Sequence, residues 1–354
     1  MKIVVSSAGK DWRGTDSVTW TLVTGLRRRG HDVLVLCRPD SVLRDRVAEA
    51  QIPYAAILSG LDLSPATLWR CARTLKRFGA QIVITLKDKD LRQSAVAARM
   101  IGVPVLVCHG TDRPLKNNAR YRLFFDRIAT HHVAVSQAVR TTIKSTAPWL
   151  RSDIAVIYNG IETEEIESAK PARLDLPTGA VSVGFVGHFE GRKGFKDFAD
   201  AWWQVAERAP HAHAIIVGQG RREPDFRAAL ADAPRVHWLG FRSDVPAIMQ
   251  ALDIFVLPSR FEGFGLVLVE AMTASVACIT YDSSNMPELI DHERNGLLVP
   301  LGNVSALADA IVRVCNDAVL RERLGAAAHA TVLERFSAER MVADYEAFIA
   351  GIVA

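Results

Sequence analysis

Five cysteines in 354 residues, Cys37, Cys71, Cys108, Cys278 and Cys315, stand far apart with no CxxC pair among them. That scatter argues against a disulfide framework and against a thiolate zinc site. No apolar run approaches the ~20 residues that cross a bilayer, and the opening MKIVVSSAGK holds too short an apolar stretch for a secretory signal. A cytoplasmic protein is therefore expected. A GxGxxG fingerprint is missing after the first β-prone run, which disfavours an NAD enzyme. Basic residues are frequent, but no recognisable nucleic-acid module accompanies them, and nucleic acid is not an expected partner.

What is present is enough apolar sequence, about half of the chain, for two domains with separate cores. Charge is divided unevenly between them: residues 1–160 sum to +13 and the remainder to −9. The first half is thus expected to face something acidic. Lys2 to Ser6 reads as a strand, and Val18, Leu22 and Leu26 as one face of a helix that ends at Arg27 to Gly30. Further strands are expected near Val33 to Cys37, Gln81 to Thr85, Val103 to Val107, His132 to Val135 and Ile154 to Ile157. A polar stretch with Pro171 and Pro177 reads as a linker, and a second series of strands starts at Val181. Such alternation predicts an α/β fold of two Rossmann-like doubly wound parallel sheets facing each other across a cleft, with ligands between them. In the first loop, Ser7 to Thr15, Gly14 is the candidate for close approach of backbone to a ligand.

The most informative stretch is Asp253 to Met272, DIFVLPSRFEGFGLVLVEAM. A short apolar strand closed by Pro258 and Ser259 leads through a glycine-rich loop into an apolar helix starting at about Gly265. The first N–H groups of a helix lack intrahelical partners and carry the positive end of its dipole, so this junction suits a phosphate. Glu262 lies before the junction and Glu270 within the helix, and carboxylates in such places can accept hydrogen bonds from vicinal sugar hydroxyls.

Glu262 and Glu270 within PSRFEGFGLVLVEAM resemble the signature of the retaining glycosyltransferases of family 4, which have the GT-B fold. RRGHDV, VCHGT, VIYNGIE, RKG, VGQG and LGFRSDVPAIMQALD support that resemblance in shared order along the chain. It implies an N-terminal acceptor-binding domain over 1–165, a nucleotide-sugar-binding domain over 172–336, and a C-terminal helix, 337–354, crossing back to the first domain. Glu262 is similar to the glutamate that holds the transferred sugar, Glu270 to the one that binds the donor ribose, and Lys193 to the lysine that neutralises the leaving diphosphate. Backbone at Phe264, Gly265 and Leu266 would hold diphosphate and sugar, with Gly14 and Gly218 also on the donor and Phe241 and Arg242 near its base. Many relatives carry arginine where this chain has His188, and Arg192 is the alternative source of that guanidinium. His109 resembles a residue near the reacting centre that orients and polarises. Asp88, Lys89 and Asp90 form a DxD, but the family needs no divalent metal, and no cofactor or metal site is expected.

Arg113, Lys116, Arg120 and Arg122, with Arg127, surround Tyr121, Leu123, Phe124 and Phe125. That mixture suits an anionic membrane or a phosphorylated glycolipid acceptor, and equally an amphipathic core helix with a wet face. The combined expectation is transfer of a hexose from a nucleotide sugar, UDP-linked, to a cell-envelope glycolipid such as lipopolysaccharide core, at the inner face of the cytoplasmic membrane. Rival readings are a GDP-mannose-dependent mannosyltransferase, transfer to a soluble acceptor, a nucleotide-sugar epimerase, and a non-catalytic nucleotide-sugar binding module.

Overall fold

A computed structural model describes residues 1–59 and 63–353. The chain forms two compact units, Met1–Gly160 with Ala338–Ala354, and Ile161–Ser337.

The first unit is built on β1 (Lys2–Ser7), β2 (Asp32–Cys37), β3 (Tyr54–Ala56), β4 (Ile82–Thr85), β5 (Val105–His109), β6 (His131–Ala134) and β7 (Ile154–Val156), in the spatial order β3-β2-β1-β4-β5-β6-β7. Every pairing is parallel. Parallel strands are covered by helices on both faces, which is why they read as unbroken apolar runs such as IVV and IVIT rather than as alternation. The short β3 is the strand that the sequence reading did not anticipate. Serine and asparagine caps start several helices, as at Ser41, Ser64 and Ser136. Gly79, in the left-handed region, stops the helix Pro65–Phe78. Two segments, Leu91–Ala95 and Leu123–Ile128, are π-helical.

The helix Ala338–Val353 belongs to this unit and lies on the helix Gly14–Arg28. Gly25 makes room for it, since a Cβ there would strike Val342. Glu346 accepts from Arg29 Nε at 2.6 Å and pairs with His31 Nε2 at 2.7 Å.

The second unit carries β8 (Val181–Val186), β9 (Ala212–Val217), β10 (Val236–Gly240), β11 (Ile254–Leu257), β12 (Ala277–Asp282) and β13 (Leu297–Pro300), all parallel in the order β10-β9-β8-β11-β12-β13. Its core is rich in aromatics: Phe185, Phe189, Phe195, Phe198, Trp202 and Phe226 meet on one face of the sheet. In both sheets the strand order reverses beside the first strand, at β1/β4 and at β8/β11, and ligands in doubly wound folds bind outside the carboxyl ends of the strands at such a reversal. Two loops distant in sequence, 187–194 after β8 and 258–265 after β11, are thereby made neighbours.

Candidate active site

Two glycines, one in the loop after β8 and one after β9, allow backbone to meet backbone here. Gly194 has φ +69°, and a Cβ there would collide with the Pro258 carbonyl. Gly218, at the end of β9, has φ +139°, and a Cβ would strike the Gly187 carbonyl. The Arg260 amide then donates to the Arg192 carbonyl at 2.8 Å, tying the two loops together.

That approach brings Lys193 and Arg192 onto Glu262. Lys193 Nζ donates to Glu262 Oε1 at 2.5 Å and Arg192 donates to Oε2 at 3.0 Å, while Ser259 Oγ donates to Oε1 at 3.0 Å. Glu262 is 6% exposed. Burial opposes its ionisation, but the charges of Lys193 and Arg192 and the hydrogen bonds outweigh it and hold the carboxyl below the usual range. Glu270 lies in the helix Leu266–Thr273, half-buried. Burial, joined by the charge of Glu165 and opposed by Lys193, pushes its carboxyl up to about 7. One lysine therefore acts on both carboxylates.

The helix Leu266–Thr273 begins after Gly265, whose φ of +88° is the left-handed conformation glycine tolerates best. Phe264 and Leu266 flank it: the Phe264 ring is buried edge-on against Phe336, and Leu266 is half-buried. The turn after β12 braces this loop through three short polar side chains. Ser283 Oγ donates to the Ser259 carbonyl at 2.9 Å, Ser284 Oγ to the Glu262 carbonyl at 2.8 Å, and Asn285 Nδ2 to the Phe264 carbonyl at 2.5 Å. Ser284 adopts φ +51°, uncommon for a residue with a Cβ.

Around this centre the other donor-side residues spread outward. His188 is half-exposed, and its Nδ1 lies 3.4 Å from Glu190, which also accepts from Arg192 Nε at 2.8 Å. Phe241, 65% exposed, and Arg242 follow the edge strand β10, two strands from β8, where Arg242 is forked onto Asp244 at 2.7 Å.

In the first unit, Gly14 opens the helix Gly14–Arg28 rather than sitting within the loop, and the crowded glycine is Gly9, where a Cβ would meet the Lys87 ammonium. Lys87 pairs with the buried Asp16 at 2.6 Å. Asp90 of the DxD is fully buried and accepts from the amides of Ala8, Leu86 and Lys87 at 2.7, 3.3 and 3.1 Å, so its carboxyl serves the fold.

His109 ends β5 and is 8% exposed. Its Nε2 shares a hydrogen bond of 2.9 Å with His132 Nδ1 on β6, and it stacks on both His132 and Phe125. Burial, aided by His132, lowers its pKa to about 3, so the ring is neutral. Arg113, Lys116, Arg120 and Arg122 are exposed, but Phe124 and Phe125 are buried and Leu123 is the one apolar side chain of the run left 49% exposed. The aromatic half of the mixed surface read from sequence therefore belongs to the core, because the helix turns those rings toward His109 and the sheet.

Comparison with known proteins agrees with this architecture. Residues 12–165 match Glycosyltransferase Family 4, and residues 180–317 match Glycosyl transferases group 1. The chain is 30% identical over 330 residues to a phosphatidyl-myo-inositol mannosyltransferase of Mycobacterium leprae, covering 89% of this chain and 87% of that protein. It is 26% identical to the UDP-Gal:alpha-D-GlcNAc-diphosphoundecaprenol alpha-1,3-galactosyltransferase of Escherichia coli, over 82% and 81% of the two chains. Among solved structures, Anabaena Alr3699/HepE in complex with UDP and glucose shares the fold, with a TM-score of 0.81 at 23% identity over 99% of this chain and 100% of that one. Two parallel α/β units with a glutamate-anchored loop after β11 define a transferase of the GT-B type. The chain belongs to glycosyltransferase family 4.

Proposed function

We propose that this glycosyltransferase is retaining and metal-independent, and that it moves a hexose from a UDP-sugar to a phosphorylated cell-envelope glycolipid such as lipopolysaccharide core. The observation that carries the donor half is Glu262, buried and ionised between Lys193 and Arg192 at the approach to the helix Leu266–Thr273. In this reading Lys193 and Arg192 neutralise the diphosphate as negative charge builds on it, the role a bound metal fills elsewhere. Glu262 accepts hydrogen bonds from the transferred sugar, and Glu270 from the ribose. Phe241 and Arg242 face the base, while Gly218 and the backbone at Gly265 and Leu266 line the diphosphate. The leaving phosphate takes the acceptor's proton on the same face. His109, neutral at working pH, orients and polarises instead of storing that proton.

The E. coli relative is named for a UDP-sugar donor and a diphospholipid acceptor, which supports the choice of both. A GDP-mannose donor is the second reading, its mannosyl part favoured by the name of the mycobacterial relative. The exposed cations Arg113, Lys116, Arg120 and Arg122 support an acidic acceptor or an anionic membrane face. Helix Pro65–Phe78 adds Trp69, 60% exposed beside Arg70 and Arg73. Among the described residues no helix is long and apolar enough to cross a membrane.

The test of the donor half is slow hydrolysis of UDP-glucose, UDP-galactose and GDP-mannose by the purified protein, followed by NMR. One of the two UDP-sugars should be hydrolysed, with Glu262→Gln abolishing the reaction, whereas hydrolysis of GDP-mannose alone would replace the UDP donor by the second reading. Failure of all three, or hydrolysis unaffected by Glu262→Gln, would reject the reading. Sedimentation with liposomes tests the membrane: binding indifferent to anionic lipid content and to salt would discard that part alone.

A further inference from the structure

Glu190 was not among the residues expected at the site, yet it belongs to its charge network. Five side chains form an alternating chain: His188, Glu190, Arg192, Glu262 and Lys193. Arg192 is divided between two carboxylates, giving its Nε to Glu190 at 2.8 Å and a terminal nitrogen to Glu262 at 3.0 Å. The two carboxylates are not held alike. Glu262 has a 7% exposed side chain and is gripped by two cations and Ser259. Glu190 has a 38% exposed side chain, shares one cation and, among the described residues, has His188 besides, at 3.4 Å. Of the two, Glu190 is the one that can leave without uncovering a buried charge.

Its position matters because a guanidinium recognises phosphate and carboxylate through the same planar fork of donors. With a glutamate on either side of it, Arg192 is paired before any ligand arrives, as is Lys193 with Glu262. A diphosphate approaching Arg192 meets a resident carboxylate on the outer side of that guanidinium. We propose that Glu190 is a displaceable counter-ion that competes with the donor's diphosphate for Arg192, weakening the hold on the nucleoside diphosphate product. This rests on the donor reading given above and adds to it a residue that sets the affinity of the leaving group. When the diphosphate takes the Nε side of Arg192, Glu190 turns outward and keeps His188 as its neighbour. When the product is due to leave, Glu190 returns to the guanidinium.

A competitor and a support are distinguished by the sign of the effect. A carboxylate that merely oriented Arg192 would weaken diphosphate binding when removed, whereas a competitor strengthens it. The probes are UDP, GDP and the phosphate-free nucleosides, titrated calorimetrically into the full-length protein and its Glu190→Gln and Glu190→Ala variants. The nucleoside diphosphate that binds wild type should bind both variants about two- to fivefold more tightly, the worth of a partly exposed ion pair. Nucleoside binding should be unchanged, and Glu190→Gln should have no effect when added to Arg192→Ala. Equal or weaker diphosphate binding by both variants would overturn the inference while leaving the donor reading intact. Absence of binding by wild type and variants alike would overturn both.

Discussion

Replacing Lys193 by methionine keeps the aliphatic stem and removes one charge from a nearly closed pair. The lysine side chain is 11% exposed and that of Glu262 is 7% exposed, with 2.5 Å between the charged atoms. Removing one partner of a buried pair costs about 3–5 kcal/mol when the other charge is left alone. Here Arg192 and Ser259 still hold Glu262, so about 3 kcal/mol is expected. For a unit of this size that lowers the melting temperature of the second unit by about 6–12 °C. Glu262→Gln should destabilise comparably, because Lys193 then faces Arg192 without the intervening carboxylate. The double variant should lose much less than the two losses added, giving a coupling of at least about 1.5 kcal/mol. Thermal or urea unfolding of the four proteins measures the cycle. Lys193→Met should also slow donor hydrolysis by roughly a hundredfold, as for the loss of one preorganised donor. Additivity within about 0.5 kcal/mol would show that the contact is loose and that the charge network is not the organiser of this site.

Glu270, pushed up to about 7, keeps a proton that the unfolded chain releases above about 4.5. The stability it contributes is present below that value and fades as pH rises toward 7. If the proposed ribose contact is made, its hydroxyls donate more strongly to the ionised form, so affinity for the nucleoside diphosphate should improve by up to roughly tenfold between pH 6 and 8 relative to Glu270→Gln; parallel pH profiles would contradict this. His109 and His132, lowered to about 3 and about 4, refuse protons that the unfolded chain accepts. Stability should therefore fall as pH drops below about 6.5, and replacing both by phenylalanine should flatten that slope in urea titrations. Ser284→Gly relieves a positive φ but removes a bond to the Glu262 carbonyl, so stability should change by less than about 1 kcal/mol while donor turnover falls severalfold. A stability loss of about 2 kcal/mol or more with unchanged turnover would show that the brace serves folding alone.

Strand β11 and the helix after Gly265 were legible because an apolar run closed by Pro258 and a glycine-rich loop leave few alternatives. The pairing of Glu262 with Lys193 spans 69 residues and follows from β8 lying beside β11, a fact of sheet order that local periodicity does not contain. His132, 23 residues from His109, was hidden for the same reason: only the pairing of β5 with β6 sets the rings together. Ser283, Ser284 and Asn285 have short polar side chains whose partners depend on which loop lies opposite. Phe124 and Phe125 fit the amphipathic alternative: composition left the two readings equal, and only the packing shows that the basic and aromatic residues occupy opposite faces of one segment. Short β3 follows Pro53 at the sheet edge and carries no strand signature of its own.

Diffraction from crystals soaked with the nucleoside diphosphate that binds would test the donor site most directly. Density for two phosphates is expected at the start of the helix Leu266–Thr273, within hydrogen-bonding reach of Lys193 and Arg192, with the ribose on Glu270. Ordered diphosphate elsewhere in the protein, with the Lys193 and Glu262 pair untouched, would contradict it.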